Sequence, residues 1–452
     1  MTSNYPQPDT ICAPATAPGG ALGIIRISGP DALNAVSAIS SSQLSQAPGR
    51  TIHYTHIIDS EASVIDEVMV SIFRAPQSYT GEDAAEISCH GSRYIMNKIL
   101  GLLVENGCRM AHPGEFTQRA YLNGKMDLSQ AEAVADLIAS TNKATHDVAL
   151  AQLRGHFSSE LSRLRDQLLR LTSLLELELD FSDHEDLEFA DREELSQLAL
   201  HIDARILQLA HSFETGQALK QGIPVAIVGK TNVGKSTLLN RLLHDDRAIV
   251  SDIHGTTRDT IEDTIDIEGV TFRFIDTAGL RQTDDTIEQI GITRTYQAIE
   301  KARIVVWLID SIPSDAEWTD MRDRCAGKSL IVVENKIDKS HTPLALAFPS
   351  VRISAKKGEG IDTLEAAIYS AADLPTLSDG DIIVTNARHY EALQHAHDSL
   401  QRVIDGLDMQ LSGDLLAEDL RLTLDSLADI TGGQITPQET LNNIFSHFCV
   451  GK

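Results

Sequence analysis

The residues best suited to chemistry form one string, Gly229-Lys230-Thr231-Asn232-Val233-Gly234-Lys235-Ser236. It reads G-x-x-x-x-G-K-S, directly after the apolar run 225–228 and directly before the helical-looking 237–243. Strand, glycine loop and helix in that order let backbone N–H groups wrap phosphate oxygens, while the helix N-terminus adds partial positive charge. Lys235 would reach the β and γ phosphates and Ser236 would hold Mg²⁺. Asn232, Val233, Gly234 and Thr237 complete the expected cradle.

The base is specified further along. Asn335-Lys336-Ile337-Asp338 follows the apolar run 330–333. A carboxylate held there accepts two hydrogen bonds from the N1–H and amine edge of guanine, whereas adenine would leave it unpaired. Ser354-Ala355-Lys356 follows the next apolar run and can meet the guanine O6. Together with the phosphate loop, these two strings specify GTP.

Asp276-Thr277-Ala278-Gly279 would supply a carboxylate near Mg²⁺ and a glycine N–H for the γ-phosphate. The stretch Ser251-Asp252-Ile253-His254-Gly255-Thr256-Thr257 lies between, and Thr257 can be the second hydroxyl on Mg²⁺. Both stretches have the character of switch segments, ordered by the γ-phosphate. Leu280 follows Gly279, where many GTPases carry a glutamine that orients the attacking water. Leucine cannot do that, so hydrolysis needs other groups. Asn232 offers a carbonyl oxygen and Glu288 a carboxylate.

These residues must be held by several domains. A chain of 452 residues predicts about three, and its 42% hydrophobic content is that of a globular protein. A formal charge of −27 disfavours an extended grip on nucleic acid by this chain alone. Cys12, Cys89, Cys108, Cys325 and Cys449 form no C-x-x-C pair, which points to reduced thiols in a cytoplasmic protein. No signal or transit peptide is expected at the N-terminus, and the longest apolar run, 304–309, is too short to span a bilayer.

Residues 1–118 mix short β-like runs at 23–28, 68–73 and 85–89 with a helix expected over 92–103 and a turn at Asn106-Gly107, an α+β domain. From Asp127, with Gln130 three residues on as in a capping box, the period becomes helical. Leu161, Leu164, Leu168, Leu171 and Leu175 make one apolar seam. Leu195, Leu198, Ile202, Ile206, Leu209 and Phe213 make a second. The acidic stretch 176–194 between them is expected to be a solvated helix end and loop. Residues 217–378 alternate strand and helix, with apolar runs at 225–228, 271–275, 304–309, 330–333 and 351–353, and predict a mostly parallel sheet. Residues 379–452 are helical again, with Leu420, Leu424, Leu427 and Ile430 at helical spacing, and are too few for a core of their own. The expectation is a Ras-like P-loop domain inserted into a helical domain formed from residues 119–216 and 379–452.

The strings G-K-T-N-V-G-K-S, G-T-T-R-D, D-T-A-G-L-R and N-K-I-D, with an N-terminal D-T-I-C-A-P-A-T-A-P-G-G and a C-terminal F-C-V-G-K, closely resemble the MnmE, or TrmE, family of tRNA-modification GTPases. Also similar to that family are S-Y-T-G-E-D at 78–83, P-G-E-F-T at 113–117 and L-S-Q-A-E-A at 128–133. The resemblance implies a homodimer whose G domains approach each other around K⁺. In this chain the ion would be held by Asn232, Ser251, Ile253 and Thr256. A fixed cation beside the phosphates does what an arginine finger does, a contribution of about 10³ to 10⁵ in rate for the finger. Glu288 matches the family's catalytic glutamate, and Arg281 would sit at the dimer contact.

The resemblance also implies an N-terminal domain that binds 5,10-methylene-tetrahydrofolate, or 5-formyl-tetrahydrofolate as an analogue, through Arg26, Glu86, Lys125 and Lys452. A carboxylate suits the donor edge of the pterin, and cations suit its glutamate tail. Without the resemblance these four would be surface charges. Cys449 is either a buried small hydrophobe or a catalytic thiol near the folate. The family partner is the flavoprotein MnmG, in a heterotetramer or larger complex that carries FAD and uses NADH. Together they add an aminomethyl or carboxymethylaminomethyl group to carbon 5 of the wobble uridine of certain tRNAs, with the tRNA held mainly by the partner. The competing expectation is a regulatory GTPase in ribosome assembly or stress signalling, without modification chemistry.

Overall fold

The computed structural model describes residues 9–180, 192–245, 263–275, 288–339, 343–374, 381–433, 438–446, 448 and 451. Their contacts divide the chain into two compact units. One comprises Met1–Ala135, Gln152–Leu198 and Arg402–Lys452, and the other Asp136–Ala151 and Ala199–Gln401.

The first unit contains a six-stranded sheet of β1 (Ile11–Pro14), β2 (Leu22–Ser28), β3 (Thr51–Ile58), β4 (Val64–Phe73), β5 (Ala84–His90) and β6 (Arg109–Met110), in the order β3-β4-β5-β2-β1-β6. All neighbours are antiparallel except β1 and β6. Side chains alternate across a strand, so Ile25 and Ile27 of β2, Val68, Val70 and Ile72 of β4, and Ala85, Ile87 and Cys89 of β5 share one face. They pack there against Leu33 and Val36 of α1 (Ala32–Ala38) and Met96, Ile99 and Leu103 of α2 (Arg93–Glu105). Asn106 caps α2, where the sequence predicts a turn. Strands β1, β3 and β6 and helix α1 are additions to the expected elements. The β3 sequence is uninformative because its bulky Ile52 and Tyr54 face outward, each 62% exposed.

The helices of this unit begin with α3 (Glu115–Leu122) and α4 (Leu128–Ala139). The predicted capping box before α4 is present. Asp127 Oδ1 accepts from the Gln130 N–H at 2.9 Å, and Gln130 Oε1 accepts from the Asp127 N–H at 3.0 Å. Beyond α5 (Lys143–Leu153) comes α6 (His156–Asp180), whose seam of Leu161, Leu164, Leu168, Leu171 and Leu175 is buried throughout. From the far end of the chain, α13 (Gly413–Thr431) lies along α6, burying Leu416, Leu420, Leu427 and Ile430. Tyr121 of α3 donates to the Gly432 carbonyl at 3.1 Å. Helix α14 (Gln438–Ser446) returns to α3, with Phe445 and Phe448 packed on Leu128 and Ala131. The acidic residues 181–191 lie outside the described residues.

The second unit carries β7 (Ile223–Gly229), β8 (Asp263–Ile267), β9 (Val270–Phe274), β10 (Ile304–Ile309), β11 (Ser329–Glu334) and β12 (Val351–Arg352), in the order β12-β11-β10-β7-β9-β8. Only the edge strand β8 is antiparallel to its neighbour. A parallel sheet is covered on both faces, and all six residues of β10 are buried. Helices α8 (Lys235–Asp245), α9 (Glu288–Lys301) and α10 (Asp315–Arg324) lie between its strands in sequence, and α11 (Ile361–Ala371) follows the last of them. In this unit α7 (Arg192–Gln221) meets α12 (Ala387–Asp408) through Asp203, which lies 2.6 Å from His397 Nδ1 and accepts from Gln401 at 2.7 Å. Phe213 stacks on Tyr390, centroid to centroid 4.6 Å. Among the described residues no helix is long and apolar enough to cross a membrane.

Candidate functional site

Strand β7 ends at Gly229 and α8 begins at Lys235, so the phosphate loop spans the gap between them. Gly229 has φ +150° and a Cβ there would meet the Leu308 carbonyl oxygen at 2.4 Å. Gly234 has φ +108° and a Cβ would meet Asn335 Nδ2 at 2.4 Å. Both positions therefore require glycine, and the loop stays open as a cradle of backbone amides. Asn232 takes a left-handed conformation at φ +58° and is exposed. Lys235 Nζ folds back over the loop, donating to the Gly229 carbonyl at 2.7 Å and the Lys230 carbonyl at 2.9 Å. Burial holds its pKa below the usual lysine value. The residues present fit a phosphate chain, because an anion in the cradle would offer this ammonium charged acceptors in place of neutral carbonyls. Ser236 and Thr237 lie in the first turn of α8. Lys230 pairs with Glu317 of α10 at 2.7 Å. Hydrogen bonds from Lys230 and the Ser314 N–H hold the Glu317 carboxyl at about 2.

One buried amide joins this loop to the base-recognising strings. Asn335 follows β11, donates to the Val233 carbonyl at 2.8 Å and accepts from the Ala355 N–H at 3.0 Å. Ser354 donates to Asp338 Oδ1 at 2.8 Å, and that bond first of all holds the Asp338 carboxyl below the usual aspartate value. An ionised, oriented carboxylate is what guanine requires at this place. Lys336, at φ +68°, directs its ammonium to Asp310 at 2.6 Å. The exposed Lys356 gives its carbonyl to Arg241 of α8 at 3.0 Å. The P-loop, the N-K-I-D string and the S-A-K string thus converge at the carboxyl ends of β7, β11 and β12.

Other expected residues fall elsewhere. Ser251, Asp252, Ile253, His254, Gly255, Thr256, Thr257, Asp276, Thr277, Ala278, Gly279, Arg281, Cys449 and Lys452 lie outside the described residues. Glu288 is the first residue of α9, and its side chain lies outside them too.

Around Arg26 a second constellation forms in the other unit. Arg26 on β2 and Glu86 on β5 are directly opposed in the antiparallel register, with the guanidinium 2.8 and 2.9 Å from Glu86 Oε1. Arg26 also donates to the Gly451 carbonyl at 3.2 Å and lies 5.5 Å from the Tyr79 ring centroid and 5.7 Å from that of Phe116. The sequence suggests separate duties for Arg26 and Glu86, whereas the structure engages them with each other. Lys125 donates to the Pro76 carbonyl at 2.9 Å, at the start of the loop that carries Tyr79.

Behind Arg26, Ser28 donates to Glu82 at 2.8 Å, and Tyr79 and Thr117 share a hydrogen bond of 2.9 Å. Arg119 and Arg109 bind Glu115 at 3.0 and 2.6 Å, and Arg119 also meets Asp9 and Glu82. Burial pushes the Glu115 carboxyl up, but the bonds from Arg109, the His112 N–H and Arg119 outweigh it and hold the group below the usual glutamate value. In the sequence Tyr79, Glu82, Glu115 and Phe116 stand out only as members of the strings 78–83 and 113–117, and Arg119 not at all. No spacing rule links those strings to Arg26.

Comparison with known proteins adds the relatives. A profile of the GTP-binding protein TrmE N-terminus matches residues 10–125, and one of the MnmE helical domain matches residues 128–449. The tRNA modification GTPase MnmE of Phocaeicola vulgatus is 53% identical over 98% of this chain and 99% of its own. That of Bacteroides thetaiotaomicron is 55% identical over the same shares, and that of Porphyromonas gingivalis 50% identical over 98% of each chain. Among solved structures, the G domain of the T. maritima FeoB iron transporter is 25% identical at a TM-score of 0.25, covering 33% of this chain and 99% of that chain. With both profiles matched and relatives at least half identical over nearly its whole length, the chain belongs to the MnmE family of tRNA modification GTPases.

Proposed function

We propose that this chain is a potassium-dependent GTP hydrolase whose cycle drives modification of carbon 5 of the wobble uridine in certain tRNAs. The observation that carries the reading is the convergence on Asn335. Its side chain binds the P-loop at Val233 and the base loop at Ala355, so phosphate and guanine recognition are set by one rigid contact. Lys235 would hold the β and γ phosphates, Ser236, Thr257 and Asp276 would hold Mg²⁺, and Asp338 with Ser354, Ala355 and Lys356 would select guanine. Potassium, when bound beside the phosphates, would supply positive charge where negative charge builds. For that ion Asn232 and the stretch Ser251, Ile253 and Thr256 would offer oxygen ligands, and the left-handed, exposed position of Asn232 in the loop supports the role. Glu288 would orient water, and Arg281 would act at a contact between two G domains.

In this reading residues 1–118 bind the folate one-carbon donor and dimerise, and residues 217–378 are a G domain inserted between the helical segments 119–216 and 379–452. Packing of α13 on α6 and of α14 on α3 supports the insertion, since the chain after the G domain completes cores begun before it. Arg26, within 5.7 Å of two aromatic ring centroids and bonded to the Gly451 carbonyl, supports a binding site built jointly by the N-terminal domain and the F-C-V-G-K motif. Lys125, Lys452 and Cys449 would complete it. The flavoprotein MnmG would supply FAD and receive NADH, and hold most of the tRNA, as the acidic charge of this chain favours.

Nucleoside mass spectrometry of tRNA from cells lacking the chain tests this reading. Loss of the 5-substituted wobble uridine, restored by wild type and not by Asp276→Ala, is the expected result. An unchanged nucleoside profile would overturn the modification role.

A further inference from the structure

Residues 136–151 and the nucleotide-binding sheet belong to the same compact unit, and one side chain ties them together. Asn142 stands immediately before α5 and uses both ends of its amide. Its Oδ1 accepts from the Thr145 N–H at 2.8 Å, which satisfies a first-turn donor of the helix. Its Nδ2 donates to Thr271 Oγ1 on β9 at 2.8 Å, and that hydroxyl donates to Asp266 Oδ1 on β8 at 2.5 Å. At the tip of the β8–β9 hairpin, the Gly269 carbonyl accepts from the Ala144 N–H at 3.0 Å. Gly269 has φ +79°, and a Cβ there would come within 3.0 Å of Lys143 Cβ. Ala144 and Val148 pack against the core of the sheet beside it.

The hairpin is the edge of its sheet, with β8 paired to β9 alone. Strand β9 is held by β7 from Phe272 to Phe274, whereas β8 and the hairpin tip have no further strand beside them among the described residues, so the anchor at the tip adds to how firmly they are held. The chain runs from the two ends of this hairpin into residues 246–262 and 276–287, which carry Thr257 and Asp276. We propose that Asn142 is a positioning residue for GTP hydrolysis: by binding Thr271 it fixes the hairpin to α5, and so sets the position from which both phosphate-sensing segments depart. This rests on the GTPase reading above. A misplacement of about 1 Å at reacting groups is enough to slow a reaction by roughly 10²-fold, so a partial loosening has a measurable effect.

Two substitutions separate the anchor from the helix cap. Asn142→Asp keeps an acceptor for the Thr145 N–H but cannot donate to Thr271, and it brings a second carboxylate toward Asp266. Thr271→Val breaks the same contact from the other side at constant shape. Steady-state GTP turnover of the full chain should show kcat reduced about 10-fold in each, KM for GTP within about two-fold of wild type, and no further loss in the double variant. Thr271→Ser should restore kcat. Wild-type kcat in both single variants, additive losses, or a loss confined to KM would overturn the proposal. Wild-type turnover in the same assay keeps the two readings apart. An inactive wild type overturns the GTPase reading and this inference with it, whereas an active wild type beside unaltered variants overturns this inference alone.

Discussion

The Arg26 guanidinium donates to the Gly451 carbonyl at 3.2 Å, a bond between residues 425 positions apart. Gly451 lies close against the end of β1. Gly451 has φ +92°, and a Cβ there would meet the Pro14 carbonyl oxygen at 2.3 Å. Gly451→Ala should therefore lift the C-terminus away from Arg26. Strained backbone of this kind costs about 1–3 kcal/mol, so tetrahydrofolate affinity should fall roughly 5- to 150-fold by equilibrium binding. GTP affinity should stay at its wild-type value. Unchanged folate affinity would separate the C-terminal motif from the folate site.

Gly234 bears the same kind of constraint in the nucleotide site. A methyl group there would meet Asn335 Nδ2 at 2.4 Å, against the side chain that ties the P-loop to the base loop. Gly234→Ala should push Asn335 off both Val233 and Ala355, and so weaken phosphate and guanine recognition together. Titration with a fluorescent GTP analogue should show affinity reduced by about 100-fold or more, with GDP reduced in parallel. Loss for GTP alone would mean that the damage is confined to the γ-phosphate side.

Asp338 tests the base alone. Its carboxylate is oriented by Ser354 and its pKa is lowered by that bond, so at neutral pH it is an acceptor on both oxygens. Asp338→Asn replaces one acceptor by a donor facing the guanine N1–H and amine edge. GTP affinity should fall about 10- to 100-fold, the scale of a lost charged hydrogen bond, while xanthosine triphosphate should gain. Competition binding with the two nucleotides reads this directly. Equal loss for both would remove Asp338 from base contact.

Where the sequence was legible, one local signal sufficed. The run Ile304–Ile309 is apolar throughout and becomes the central strand with every residue buried. Asp127 and Gln130 are three apart and make both bonds of a capping box. The P-loop glycines were readable because the conformation they allow is itself the phosphate cradle. What escaped depends on distant pairing. Thr51–Ile58 looks poor as a strand because Ile52 and Tyr54 face outward and its partner β4 supplies the pairing. Asp263–Ile267 is short and acidic, and forms only because β9 doubles back on it. Arg26 and Glu86 were identifiable by resemblance, but their mutual bond comes from the β2–β5 register, and Tyr79 joins them from a loop and Phe116 from the first turn of α3. Asn142 carries no signal of its role in the sequence, since its second partner lies 129 residues away.

Asp9, Glu115 and Glu82 gather around Arg119, and the titration of Asp9 and Glu115 sets an acid limit for the first unit. For Asp9, as for Glu115, burial raises the carboxyl, but the bonds from Arg109 and Arg119 prevail and leave it below its ordinary value. Groups depressed in the folded state contribute stability that is fully present above their unfolded values, 3.8 for Asp and 4.5 for Glu, and is lost as pH falls through the lower folded values. Thermal melts should therefore be nearly flat from about pH 7 to 5 with respect to these groups and decline below about pH 4.5. Arg119→Leu leaves partly buried carboxylates with one cation fewer and should cost about 3 kcal/mol at neutral pH. It should also shallow the acid decline, because burial then raises the Glu115 carboxyl with less opposition and protonation relieves the site instead of breaking it. A variant that melts lower at pH 7 yet keeps the wild-type slope between about pH 5 and 3 would show that Arg119 acts by packing alone.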